Sequence, residues 1–331
     1  MKAVLVEEYG SYHDVRVHEV ADPEAGPRDV LVDVYTMGIN FPDVMMISGR
    51  YQFRPPLPFI PGVELAGEVI GVGAEVTEVA VGDRVAGEVK YGAFAEQALV
   101  NADNCYRIPE SMSFEHAGAL GLVYQTAHFA LKDRAHMSAG ERVLINGGAG
   151  GVGLAAVQLV KALGGVAIAG VRSDVQREVA TAAGADYLVD LGVENLQESL
   201  KEQIMEITHG HGVDVVLDPV GGDVFDASLR ALAWSGRLVV VGFACGRIPA
   251  VQANYLLLKN ISVIGLHWRM YQELEPEWVR RIQMDMYDLY QKGRLTPHVM
   301  HVYPLAQFAD ALEAIENGRV QGKVVLSTRR M

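Results

Sequence analysis

Cysteine is almost absent: the 331 residues contain two, Cys105 and Cys245. Two widely separated thiols build neither a disulfide framework nor a zinc cluster, and a reducing compartment suits them. Long apolar runs are missing too. Half of the residues are hydrophobic, yet no run reaches the roughly 18–20 residues of a membrane span. The opening "MKAVLVEEYG" turns acidic where a secretory signal would be apolar, so a cytoplasmic protein without membrane partners is expected. Positive charge is in deficit. Against 28 Lys and Arg stand 41 Asp and Glu, a net charge of −13, which repels a phosphate backbone and excludes nucleic acid as the main partner.

What is present has two textures. Up to about residue 110 the chain is a series of short β-like runs, "KAVLVE", "DVLVDVY", "ELAGEVIGVG", "DRVAGEV" and "AFAEQALV", separated by turns such as "GPRD" and "VGDR". This reads as a compact, mainly β domain. From about residue 125 strands alternate with helices: "RVLIN", "VAIAGV", "DYLVD", "VDVVLD", "RLVVVGF" and "ISVIGLH" make six candidate parallel strands, the number in a complete dinucleotide-binding sheet. The tail offers a helix over about 276–292, a β-like "HVMHVYPL", a helix over 306–316 and a strand "KVVLST". It is too small for a third domain and is expected to return to the first.

Five glycines fall between Gly147 and Gly153, although glycine costs about 0.5–1 kcal/mol against alanine inside regular structure. Gly148, Gly150 and Gly153 form G-x-G-x-x-G directly after an apolar strand and at the start of a small-residue helix, the context in which the pattern has meaning. The three glycines allow the tight turn, the approach of a pyrophosphate and the packing of helix on strand. Gly151 and Val152 lie at the helix N-terminus, whose N–H groups and dipole attract the phosphates. About 20 residues on, NAD sites carry an acid for the ribose 2′-OH. Here the strand ends on Arg172 and Ser173, which suit a 2′-phosphate, and Arg177 on the next helical turn can add charge. NADPH is the expected cofactor. A register shift of two would instead put Asp174 at the deciding position, and a solvated surface Arg172 is the plainer alternative.

"GINFPDVMMISGRY" (38–51), "PGVELAGEVIGVG" (61–73) and "VGDRV" (81–85), followed by "AGGVG", resemble the medium-chain dehydrogenase/reductase superfamily over nearly the whole chain. The resemblance implies an α/β protein: a GroES-like mainly-β catalytic domain over 1–124 and 268–331, and a Rossmann domain, a doubly wound six-stranded parallel sheet, over 125–267. Zinc-dependent members carry metal ligands where this chain has Asn40 and Val63. The third ligand position falls in "GALGLVYQTA", and the structural-zinc lobe is missing from "GEVKYGAFAE". Valine cannot bind a metal and asparagine is a poor zinc ligand, so no metal is expected. That pattern is similar to the quinone oxidoreductase, zeta-crystallin-like branch, which the segment "ANYLLLKNISVIGLHW" (253–268) also resembles.

The resemblance implies an NADPH-dependent reductase that transfers a hydride to a quinone or an α,β-unsaturated carbonyl, acceptors already electrophilic enough to need no metal. By motif position Asn40 would lie by the nicotinamide ribose or the substrate carbonyl, as a donor. Asp43 and Glu64 match polar positions at the old metal site, with structural or catalytic roles both open. Tyr51 matches a substrate-site tyrosine, while a neighbouring tyrosine of relatives is here Met45. Thr126 would reach the nicotinamide or its phosphate, and Lys323 matches a basic position near the pyrophosphate. Strand-end loops would line the cofactor through Val220, Gly242, Phe243 and Leu266. Tyr124 and Trp268 read as packing residues, and His267 as a wall residue. Two other readings stay open: a 2-enoyl thioester reductase, in which Arg50, Arg54 and Arg269 meet an anionic carrier, and a non-catalytic NADPH-binding structural or sensor protein. Relatives pair the last Rossmann strand across a two-fold axis, which implies a homodimer or tetramer.

Overall fold

The computed structural model describes residues 1–329. It divides into two compact units: one of Met1–Leu122, Gln272–Gln291 and the residues from Pro297 onward, the other of Val123–Tyr271 and Lys292–Thr296.

The first unit begins with a two-stranded antiparallel ribbon, β1 (Lys2–Leu5) and β2 (Arg16–Glu19). Then come β3 (Asp29–Gly38), helix α1 (Phe41–Ile47), β4 (Glu64–Val72), β5 (Arg84–Glu88), β6 (Gln97–Asn101) and β7 (Cys105–Arg107). Along β3, Val30, Val32 and Val34 are buried and the residues between them are half-buried, the period of two that fixes a strand's inner face. These valines join Leu65, Val85 and Phe94 in one apolar core. Cys105 belongs to that core, where burial pushes its thiol up to about 12, whereas Cys245 is exposed.

Helix α2 (Phe114–His128) leads into the second unit. There β8 (Arg142–Ile145), β9 (Val166–Val171), β10 (Tyr187–Asp190), β11 (Val213–Asp218), β12 (Leu232–Val240) and β13 (Ser262–Gly265) make a wholly parallel sheet in the order β10-β9-β8-β11-β12-β13. This is a complete doubly wound sheet, with its switch point between β8 and β11. Its helices are α3 (Gly151–Ala162), α4 (Asp174–Ala182), α5 (Leu196–Ile207), α6 (Gly222–Ala231) and α7 (Ala253–Lys259). Leu200 and Ile204, one helical turn apart, fix the buried face of α5. The chain then returns to the first unit with the helix Pro276–Gln291, β14 (Val299–Pro304), the helix Phe308–Glu316 and β15 (Lys323–Ser327). The seven-stranded sheet runs β14-β15-β3-β4-β5-β7, with β6 also on β3.

Elements additional to those the sequence pattern indicates include α1, α2, β2, β7, α7 and the helix Trp268–Leu274. Neither β2 nor β7 shows an alternation: β2 has no buried residue, and β7 has three residues of which the first two are buried. Helix α7 hides its period because Leu257 and Leu258 of "ANYLLLK" face solvent.

Candidate active site

The C-terminal edge of the parallel sheet gathers the loops that the sequence assigned to a dinucleotide. After β8, Asn146 is buried, and its Nδ2 donates to Asp218 Oδ1 (3.0 Å) and Ser228 Oγ (2.9 Å). Asp218, at the end of β11, also accepts from the backbone N–H of Val220 and of Gly221 at 3.2 and 3.1 Å. Burial raises its carboxyl above the usual range, and these hydrogen bonds oppose the shift. The network locks the loop after β11 to the end of β8. None of its three side chains stood out in sequence; the one available signal was an acid ending a strand just before "PVGG".

Gly147 turns at φ +61°, a region that suits glycine. A Cβ on Gly148 would lie 2.6 Å from the Cβ of Ala169, and one on Gly153 would lie 2.1 Å from Gly147 O. Those two glycines therefore let strand, turn and helix touch. Gly150 differs. It is the residue just before α3, at φ −80° and ψ 178°, and a Cβ there would meet only Gly147 O at 3.4 Å. The protein's own packing does not require its bareness, and it stands at a helix N-terminus with its N–H groups and dipole.

At the end of β9, Arg172 is exposed; its backbone N–H is held by Gln176 Oε1 at 2.8 Å, and its guanidinium has no acidic partner among the described residues. Ser173 caps α4 by accepting from the Gln176 N–H, which leaves its own O–H free to donate. Arg177 is turned away to Asp190 Oδ2 at 2.9 Å, with Asp174 at 3.9 Å. Val220 lies in the loop after β11, Gly242 and Phe243 follow β12, and the Leu266 N–H bonds Val240 O beyond β13. All sit on the same sheet edge. Thr126 is buried on α2 beside Gln125, whose Oε1 accepts from the indole of Trp268 at 2.9 Å. Tyr124, also buried, donates to Gln158, and burial pushes its phenol far up. His267 is exposed.

In the first unit, sheet register brings three distant residues together. Val325 of β15 faces Gly38 of β3, and Gly38 faces Glu64 of β4. Lys323 and Asn40 each lie two residues from their pair, so their side chains meet Glu64. The Lys323 ammonium donates to Ile39 O (2.8 Å), Asn40 Oδ1 (2.7 Å) and Glu64 Oε1 (2.7 Å). Glu64 further accepts from Asn40 Nδ2 at 2.8 Å and from the Leu122 N–H at 3.0 Å. All three side chains are at most 5% exposed.

This geometry gives two expected roles a different content. The three protons of Lys323 are all engaged inside the first unit, so none remains for a pyrophosphate. The Asn40 amide donates to Glu64 and, at a longer 3.4 Å, to Gly38 O, so it is held as an internal link rather than offered to a substrate. Asp43 is buried and accepts from the Asn40 N–H at 2.7 Å, capping α1. Tyr51 is half-buried against the core. The Lys323–Glu64 link escapes sequence reading because 259 residues separate the partners.

One unit holds a parallel sheet in dinucleotide-binding order and the other a mainly β sheet, two fold types that together suit a dinucleotide-dependent oxidoreductase. The family models described as "Alcohol dehydrogenase GroES-like domain" and "Zinc-binding dehydrogenase" match residues 26–110 and 151–283. The chain is 39% identical to the quinone oxidoreductase-like protein 2 of Mus musculus, with 95% of this chain and 89% of that protein covered. Among solved structures it is similar to a mycobacterial protein complexed with NADPH (TM-score 0.92, 32% identity, 99% of this chain and 100% of that one). It is also similar to Escherichia coli quinone oxidoreductase complexed with NADPH (TM-score 0.90, 30% identity, 99% and 100%). The chain belongs to the medium-chain dehydrogenase/reductase superfamily, in its quinone oxidoreductase, zeta-crystallin-like branch. No helix among the described residues is long and apolar enough to cross a membrane.

Proposed function

We propose that this enzyme is an NADPH-dependent reductase that delivers a hydride to a quinone or an α,β-unsaturated carbonyl without a metal ion. The observation that carries the metal-free part is the Lys323–Asn40–Glu64 cluster. Asn40 and Val63 stand where zinc-dependent relatives have ligands; Val63 is an alkyl group, and the Asn40 oxygen holds an ammonium. The adjacent carboxylate, Glu64, already accepts from Lys323, Asn40 and Leu122. This donor set does not fit a divalent metal, because its one carboxylate neutralises an internal cation and its amide oxygen accepts from the same ammonium.

The glycine loop does fit a dinucleotide, since Gly150 leaves room that no neighbouring group fills. The α3 N-terminus would hold the pyrophosphate, Arg172 and Ser173 the 2′-phosphate, and Val220, Phe243 and Leu266 would flank the cofactor. NADPH when bound supplies the hydride; the chain's own residues contribute orientation and exclusion of water. The thioester alternative gains no support from Arg50, which pairs with Glu316 and donates to Ser48.

The test is NADPH oxidation followed with a panel of quinones, enones and a crotonyl thioester, before and after exhaustive chelation. Turnover is expected with quinones or enones and should survive chelation unchanged. Turnover restored only by added zinc, or confined to the thioester, would overturn the proposal.

The loop's two kinds of glycine should separate by mutation. Gly150→Ala is expected to keep the melting temperature of the apoprotein and weaken NADPH binding at least tenfold, whereas Gly153→Ala should destabilise the fold itself through its clash with Gly147 O. Calorimetry and a cofactor titration on both variants would check this; equal melting losses would count against the assignment.

The same enzyme is proposed to pair with a second copy through β13. Among the described residues that strand bonds only β12, and the unit carries Leu257 and Leu258, 80% and 74% exposed, on α7 nearby in sequence. Open edges and exposed leucines favour association. Sedimentation is expected to show at least a dimer at micromolar concentration, and Leu257→Glu with Leu258→Glu to shift it toward monomer. A wild-type monomer would refute the pairing.

A further inference from the structure

The opposite edge of the parallel sheet, where β12 begins, carries a hollow of about 470 Å³. Its walls include Lys201, Arg230, Lys259, His211, Trp234 and Tyr255, and no carboxylate. That is unusual on a chain with a net charge of −13. Lys259 is fixed in place: its Nζ donates to Arg230 O and Leu232 O at 3.0 Å each and to Leu229 O at 3.4 Å, where α6 ends, so it offers charge rather than a free proton. Arg230 and His211 are partly balanced from outside the hollow by Glu198 at 3.1 Å and Asp214 at 2.9 Å. Lys201 has no acidic partner among the described residues. Burial, and secondarily the neighbouring Lys201, push the Lys259 ammonium below its usual range. Lys201 and Lys259 thus line the same hollow.

The apolar part of the hollow is as distinctive. Trp234 is 73% exposed, an unusual position for the largest apolar side chain. The ring of Tyr255 lies beside the Lys259 ammonium, 5.9 Å from its centroid. Flat rings next to fixed cations suit a ligand that stacks and is negatively charged, and the volume falls within the roughly 300–1,000 Å³ of small-molecule sites.

We propose that this hollow is a second ligand site, for a planar aromatic anion of the aryl or nucleoside phosphate class, its ring on Trp234 and its anionic group paired with Lys201, within the field of the Lys259 charge. The site shares no residue with the dinucleotide edge and stands apart from the reductase reading.

Calorimetric titration of the protein with 1-naphthyl phosphate, in the presence of saturating NADPH, tests it. One site per chain is expected, with inorganic phosphate and 1-naphthol each binding at least tenfold more weakly. Lys201→Glu should weaken 1-naphthyl phosphate at least tenfold and Trp234→Ala about fivefold or more. Both side chains are exposed, so melting temperatures should stay at the wild-type value. Three results would overturn the proposal: no binding, binding unchanged in Lys201→Glu, or phosphate binding as tightly as its naphthyl ester. Binding seen without NADPH but abolished by it would assign the ligand to the cofactor's site instead, and would equally refute the proposal.

Discussion

Replacing Arg172 by aspartate is expected to raise the KM for NADPH about a hundredfold and to improve the use of NADH. The 2′-phosphate carries nearly two negative charges, and charge-assisted hydrogen bonds to a guanidinium are worth about 1.5–3 kcal/mol each where shielded from water. Arg172 is exposed, which lowers that value. A wild-type preference for NADPH of roughly ten- to a hundredfold follows at about 1.4 kcal/mol per decade. Aspartate removes the attraction, adds repulsion and offers an acceptor to the 2′-OH of NADH. Because the phosphate is remote from the transferred hydride, kcat at saturating cofactor should hardly change. Arg177→Ala should matter less, since that guanidinium serves Asp190. Steady-state kinetics with both cofactors decide the matter. Equal use of NADH by the wild type, or an unaltered preference in Arg172→Asp, would make Asp174 the residue that reads the ribose.

Lys323→Met should be the most damaging single change in the first unit. It leaves the Glu64 carboxylate, 2% exposed, without its cation. Breaking a buried pair from one side costs about 3–5 kcal/mol, and at roughly 2–4 °C per kcal/mol for a unit of this size the melting temperature should fall by about 10 °C. Combining it with Glu64→Gln should restore most of the loss, because a neutral amide needs no counter-charge and can still accept from the Leu122 N–H. Thermal melts of the single and double variants test this. A single variant that melts within 2 °C of wild type would show that the cluster is not held by charge.

How much of this was legible beforehand differs sharply between the two units. The six parallel strands could be read because each is a short apolar run, the first four each followed by a helical stretch, and the order of such units in the chain largely dictates their order in space. The loop glycines and Arg172 could be read for the same reason: turn, strand end and helix start are neighbours in the chain. The zinc-like positions were legible only as residue types that cannot hold a metal. What fills their place was not, since Asn40, Glu64 and Lys323 come from three separate strands or strand ends. Local pattern also failed at α7, where leucines face solvent, and at β2 and β7, which do not alternate.

The sequence by itself thus determined the dinucleotide-binding half: its sheet, its bare loop and the arginine that follows it. These are local properties, set by backbone conformation and by residues a few positions apart. Only the tertiary structure decided which charges remain available. It tied Arg177 to Asp190 because β10 lies beside β9, and it turned Lys323 inward because the register of β15 on β3 and of β3 on β4 sets its ammonium against Glu64. A buried ammonium must find acceptors wherever the folded chain provides them, and that provision is a property of strand pairing across 259 residues, which no local pattern encodes.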